Sequence, residues 1–297
     1  MNHPQQDTDV SNDYGIDLNL DDGNKCIVEL INSGKPFTVT RLATESFHSF
    51  LFVLEKKFMI PGYLANNTGI YSNNPQDIAV FYIEYYKAVM ESDSVSIYLD
   101  RSDTLQQEKI LIKQPLKFIH FKILEPFYSL SLNKIPWTHS LLGKKVLIIS
   151  PFVDSFQKQL KNNFKLFKDE SKCIFLPGQE FVFYKTFNTS AGNQLHSSWI
   201  ETLNIMMNDI SKLEFDIALI SCGGYALLMG SIIKNHLKKS AIYVGGVLQI
   251  YFGVIGKRWD THELIQNIIK DNGDNFIRPS GDEIIKNFTN IETGCYW

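Results

Sequence analysis

Lys144-Lys-Val-Leu-Ile-Ile-Ser-Pro-Phe152 and Phe215-Asp-Ile-Ala-Leu-Ile-Ser-Cys-Gly-Gly224 decide the fold. Each is a continuous, largely β-branched run that ends in turn formers, the pattern of a strand buried on both faces of a parallel sheet. An amphipathic helix is expected after Phe152, extending through Phe167, and another over 227–237. Between them Cys173-Ile-Phe-Leu176 reads as a strand. Residues 197–212 read as a helix with Trp199, Leu203, Met206, Met207 and Ile210 along one face. Ala241-Ile-Tyr-Val244 reads as the next strand, so that the apolar stretch 241–256 as a whole reads as buried strand plus loop. The repeating strand, loop and helix predict an α/β protein with a Rossmann-like parallel sheet, helices on both faces and right-handed crossovers.

Upstream the pattern is less regular. Phe37-Thr-Val-Thr40 reads as a short strand, and Phe47, Phe50, Leu51 and Leu54 recur at helical spacing. Residues 62–74 are rich in turn formers. Phe81, Tyr85, Ala88 and Val89 mark an amphipathic helix over 75–92, and 94–99 alternates as a strand. We therefore expect a mixed α/β N-terminal lobe over 26–140, packed as one unit with a Rossmann-like lobe over 141–297. Residues 1–25 hold six aspartates against a single lysine and are expected to form a disordered acidic tail.

Composition narrows the function classes. Of 297 residues 44% are apolar, and 29 Lys+Arg stand against 32 Asp+Glu for a net charge of -3, so no global field favours nucleic acid or an anionic membrane. Cys26, Cys173, Cys222 and Cys295 lie far apart with no metal-ligand spacing, as expected of reduced thiols. No secretory signal is visible, and the most apolar stretch, 241–256, is interrupted by Gln249 and four glycines, too short for the roughly 20 residues of a membrane span. A cytoplasmic protein is expected.

In parallel sheets ligands sit beyond the carboxyl ends of the strands, where Ser150-Pro151-Phe152, Cys222-Gly223-Gly224-Tyr225 and Gly245-Gly246 all fall. Glycine pairs there let backbone amides approach a phosphate, with a helix N-terminus behind them, or they simply make tight turns. Neither pair fits a dinucleotide or P-loop motif. Lys257 and Arg258 have the chemistry to neutralise a diphosphate, with Trp259 as a stacking platform and Gln249 as a neutral hydrogen-bonding wall. The same residues also suit an exposed helix start. Earlier in the chain, the joint from Arg41 to Ser46 aims Arg41, Thr44, Glu45 and Ser46 at one small volume. It equally suits an ordinary helix cap by Thr44 or Ser46.

Together the 144–152 run, the 215–225 run, Gly245-Gly-Val-Leu-Gln-Ile-Tyr-Phe-Gly-Val-Ile-Gly-Lys-Arg-Trp259 and Gly294-Cys-Tyr-Trp297 resemble a little-characterised family of bacterial and large-virus proteins. That family occurs among surface-polysaccharide genes and is similar to the GT-D class of glycosyltransferases. The resemblance covers roughly residues 35–297. It implies a UDP- or GDP-sugar donor over a Rossmann-like sheet and transfer of the sugar to a glycan or glycosylated acceptor. It assigns catalytic roles to Arg41, Glu45, Lys257 and Arg258, and ligand binding to Ser150, Phe152, Gly223, Gly224, Tyr225, Gly245, Gly246, Gln249 and Trp259.

GT-D enzymes carry Arg-x-Gly-Asp-x-Glu after the first strand, and its two carboxylates hold a divalent cation. Here the turn is Arg41-Leu42-Ala43-Thr44-Glu45-Ser46. Arg41 matches, Thr44 and Ser46 replace the carboxylates, and Glu45 is one place out of register. Mn²⁺ or Mg²⁺ would have Glu45 at most, so Lys257 and Arg258 are expected to supply the positive charge. Glu45 or Asp154 is the expected base. The degenerate turn also suits a catalytically silent protein that binds a nucleotide sugar or glycan as an assembly partner.

Overall fold

A computed structural model describes residues 19–97, 115–273 and 275–297, the side chain of Thr44 excepted. The end of the 94–99 strand and most of the region over 105–132 that precedes residue 115 lie outside these residues, as do residues 1–18 of the expected tail. Seven parallel strands form one sheet in the order β3-β2-β1-β7-β6-β4-β5. They are β1 (Thr38–Arg41), β2 (Ser94–Ile97), β3 (Phe118–His120), β4 (Lys145–Ser150), β5 (Glu180–Lys185), β6 (Ile217–Ile220) and β7 (Ser240–Tyr243). The helices used below are α1 (Leu20–Asn32), α2 (Thr44–Glu55), α3 (Gly62–Thr68), α4 (Pro75–Met90), α5 (Phe127–Ser131), α6 (Val153–Lys161), α7 (Trp199–Ile210), α8 (Tyr225–Asn235), α9 (Leu248–Tyr251) and α10 (Glu263–Asn272). The fold is the expected Rossmann-like α/β arrangement. Its sheet draws strands from both halves of the chain.

The strand period of two sorts β4 between two cores. Val146 and Ile148 join the cluster under α1, α6 and α10, while Leu147 and Ile149 join the cluster under α4, α7 and α8. All four are fully buried, each contributing about 1.5–3 kcal/mol relative to exposure. This is why the run carries no alternation and reads as a central strand.

Two expectations give way and a third is refined. Cys173-Ile-Phe-Leu176 is not a strand; Pro177 and Gly178 follow it, and the chain pairs with β4 only over Glu180–Lys185, whose register runs Lys145 with Glu180 through Ser150 with Lys185. Proline lacks the donor a ladder needs, so the longer aromatic run beyond it takes the edge. The loop expected after β7 is wound into a helical turn, Gly245–Val247, continued by α9, as Gly245 at φ 76 turns the chain off the sheet. Finally, 20–25 belong to α1, not to a tail. Asn19 caps the helix by accepting from the Asp21 amide at 2.7 Å, and buried Gly23 lets it close on Ile123.

No helix among the described residues is long and apolar enough to cross a membrane.

Candidate functional site

The topology makes two neighbouring crevices at the carboxyl edge. After β4 the chain runs outward to β5 through α6 on one face, and after β6 it runs inward to β7 through α8 on the other. The loops therefore part between β4 and β6. They part again between β1, which leads into α2 on the α8 face, and β7, which leads into α9 on the α6 face. Both are switch points of the kind at which open α/β sheets bind ligands.

A cleft lies over them. Phe152, Gly223, Tyr225, Gly245 and Gly246, all candidates from sequence, line it together with Thr186, Asn188, Ser221, Tyr296 and Trp297. No Lys, Arg, His, Asp or Glu belongs to the described lining; its chemistry is hydroxyl, amide, backbone and aromatic ring. It is narrow, at about 70 Å³, room for a water or two rather than the roughly 300 Å³ or more of a small-molecule pocket. A larger hollow of about 430 Å³ opens beside Phe164, Phe175 and Phe252, and none of the predicted site residues lines it.

Each glycine has its own reason. Gly223 has φ 59, and a Cβ there would meet the Thr68 carbonyl oxygen at 2.8 Å. Gly224 does not line the cleft: its amide donates to Thr68 O at 2.9 Å and a Cβ would strike Ile70, so it is a packing glycine. At the end of β7 the pair is set between two guanidinium groups. A Cβ on Gly245 would lie 2.4 Å from Nη1 of Arg41, and one on Gly246 would lie 2.8 Å from Nη1 of Arg258. The two arginines expected to act thus meet on one glycine turn, although 217 positions separate them in the chain.

Arg41 donates to Val244 O at 3.1 Å. Arg258 lies over the Tyr296 ring at 4.1 Å and donates to Cys295 Sγ at 2.9 Å and Glu292 Oε2 at 3.3 Å. Burial works against its charge, and Tyr296, Cys295 and Glu292 outweigh burial, holding the guanidinium above its ordinary range. Burial lifts the Cys295 thiol to about 11, with Arg258 pulling the other way.

Other predicted residues are placed elsewhere. The Ser150 hydroxyl accepts from the Phe152 amide at 3.2 Å and braces the turn from beneath. Gln249 is fully buried, donating to Tyr296 O at 2.9 Å, and its Oε1 has no partner among the described residues. Trp259, 5% exposed, packs edge-on against Phe127 and His262 in the core, so it offers no stacking platform. Lys257 is exposed, and its amide and ammonium meet Trp297 O and Thr293 O. Asp154 is paired with Lys185.

Glu45 is buried at 2% exposure and is not among the residues that line the cleft. Its charge reaches Tyr85 and Tyr243, which burial first and Glu45 second push well above the ordinary phenol range. Ser46 spends its hydroxyl on Ala43 and Tyr85. This turn does not fit a divalent cation: it presents one carboxylate, and among the described residues no three His, Cys, Asp or Glu side chains gather as ligands.

Thr186, Ser221, Asn188 and Tyr296 were not singled out from sequence. Single hydroxyls and amides in loops carry no spacing signal. Gly294-Cys-Tyr-Trp297 was noted as a motif, and the structure gives it a reason: Gly256 packs so closely on it that a Cβ would lie 2.3 Å from the Tyr296 carbonyl carbon. The Gly256-Lys257-Arg258 and Gly294-Cys295-Tyr296-Trp297 segments are thus one docked unit.

The chain matches no protein-family model and no curated protein.

Proposed function

We propose that this protein is a glycosyltransferase that takes a UDP- or GDP-sugar donor and passes the sugar to an acceptor hydroxyl in surface-polysaccharide or glycan assembly. The observation that carries the reading is the Gly245-Gly246 turn between Arg41 and Arg258 at the mouth of a neutral, hydroxyl-rich cleft. Guanidinium groups are the natural partners of a diphosphate, and hydroxyls, amides and aromatic rings are those of a sugar and a base. In transfer the bond between the anomeric carbon and the phosphate oxygen breaks as the acceptor oxygen bonds to that carbon, and the acceptor's hydroxyl proton passes to an oxygen of the departing diphosphate. The electron pair leaves on the diphosphate, and the two arginines meet the charge that develops there. Cationic side chains take the part that a metal has in GT-D enzymes.

A second reading, a silent protein that binds a nucleotide sugar or glycan as an assembly partner, is favoured by a different observation. Glu45 and Asp154, the expected bases, do not belong to the cleft lining.

Thermal-shift measurements with UDP- and GDP-sugars, with and without Mn²⁺, followed by product analysis, separate the two. A transferase gives a metal-independent rise in melting temperature and turnover, both lost in Arg258→Ala; a binding protein gives the rise and no turnover across a donor panel. No shift with any nucleotide sugar defeats both.

A further inference from the structure

Residues 162–179, between α6 and β5, hold neither helix nor strand. Irregular connections longer than about 12–15 residues are uncommon in compact domains, and binding loops are prominent among them. This one is fastened to the body of the protein. Leu166 and Ile174 are buried in the core on the α6 face, Thr138 donates its hydroxyl to Ile174 O, His139 Nε2 meets Cys173 O at 2.8 Å, and the Asn272 amide donates to Lys165 O.

A compact loop normally fills its interior with its own side chains. Here the loop walls the hollow of about 430 Å³ instead, a size that falls within the roughly 300–1,000 Å³ of small-molecule sites. Phe164, Phe167, Phe175 and Phe181 line it half-buried, over the buried ring of Phe252. The rings brace one another: Phe175 meets Phe181 edge-on at 4.9 Å and Phe252 at 5.7 Å, and Phe164 meets Phe276 edge-on at 5.0 Å. The charged residues of the described lining, Lys165, Lys172, Asp169 and Glu170, cancel in sign, and Lys165 is paired with Glu170.

One polar group of the lining is left over. Gln179 spends its Nε2 on Lys144 O at 2.6 Å and Glu180 O at 3.1 Å, while its Oε1 is buried and accepts from nothing among the described residues. A buried acceptor without a donor is a standing cost that a ligand's N–H or O–H would remove.

We propose that this hollow is a second binding site, for an uncharged, ring-bearing small molecule that packs among the phenylalanines and donates one hydrogen bond to Gln179 Oε1. Aromatic walls favour a ring, which they meet edge to face, and the cancelled charge of the lining gives an ion no advantage. The site is separate from the cleft: it flanks the start of β5 through Gln179 and Phe181, whereas the cleft lies past the end of that strand at Thr186. It does not depend on the nucleotide-sugar reading.

The test uses the full chain and two probes of one shape, indole, which carries an N–H, and benzofuran, which has an ether oxygen in its place. In calorimetric titrations indole is expected to fill one saturable site about fivefold more tightly than benzofuran, the difference one hydrogen bond makes. In Gln179→Leu that preference should vanish. On the unaltered protein, saturating indole should slow the alkylation of Cys173 by iodoacetamide at least tenfold. Cys173 lines the hollow half-buried, while Cys26, Cys222 and Cys295 are buried. Alkylation needs no variant, so it decides the matter even where Gln179→Leu fails to fold. Absence of a saturable site for indole, equal affinity for the two probes, a preference that survives in folded Gln179→Leu, or unchanged alkylation of Cys173 each overturns the proposal.

Discussion

Arg41 Nη1 donates to the carbonyl of Val244 over 3.1 Å, fastening the carboxyl end of β1 to that of β7 across 203 positions of chain. The bond passes through the space a side chain on Gly245 would fill. Gly245→Ala would have to hold a left-handed φ of 76 and push the guanidinium off its carbonyl. We expect a loss of about 1–3 kcal/mol in urea unfolding, accompanied by weaker nucleotide-sugar binding. Unchanged stability would show that the turn tolerates a side chain and that Arg41 is not held there.

Gly256→Ala pries the Gly294–Trp297 segment off the turn it is docked on. Its backbone is ordinary, so the substitution acts only through space: a Cβ would meet the Tyr296 carbonyl carbon at 2.3 Å and Cys295 O at 2.5 Å, backbone atoms that cannot rotate away. The Gly294–Trp297 segment must lift. We expect a cost of about 1–3 kcal/mol, with faster tryptic cleavage after Arg278 and Lys286 under native conditions. Unaltered cleavage would mean that the two segments are not docked as described.

Thr186→Val should divide stability from binding. Removing a buried hydroxyl without a partner is expected to raise stability by about 1 kcal/mol, measured by thermal or urea unfolding. The Thr186 amide keeps its bond to Ser150 O. Ligand affinity should fall in the same variant. A stability loss would show that the hydroxyl is already satisfied.

His262 makes stability depend on pH. Its Nδ1 caps α10 by accepting from the Ile265 amide at 3.4 Å, and burial, with Lys122 adding to it, lowers its pKa below 6.5. The unfolded chain then binds the proton more readily than the folded one. Stability is complete above about 6.5 and is lost as pH falls through that value toward the lower folded one. Burial lowers His48 in the same sense. The melting temperature should drop between pH 7.5 and 5.5, and less in His262→Asn, which keeps a capping acceptor and does not titrate. Equal slopes would remove His262 as the cause.

The sheet was legible where burial is symmetrical. Val146 to Ile149 and Ile217 to Ile220 have apolar neighbours on both faces, so the run itself states the environment. The edge was not, because β5 mixes Glu180 and Lys185 with Phe181 and Phe183, whose half-buried rings resemble those of the apolar stretch before Pro177. In the site, Arg41, Arg258 and Gly245-Gly246 could be named from sequence, but not their meeting, which depends on β7 lying beside β1. Trp259 shows the opposite error: next to Lys257 and Arg258 it looks like part of a basic, aromatic surface, yet the 3-10 turn carries it inward onto Phe127.

The place of β7 has a consequence for how the molecule is made. Among the described residues it is the last strand in chain order, and it lies in the middle of the sheet, between β1 and β6. A ribosome therefore releases two partial sheets, each with a raw inner edge, before the residues that join them exist. Those edges are open to pairing with other chains until Ser240–Tyr243 emerges, so the interval between synthesis of β6 and β7 is when aggregation threatens. Closure then depends on contacts such as Thr38 with Ala241, far apart in sequence, which makes folding slow relative to helical proteins of this size.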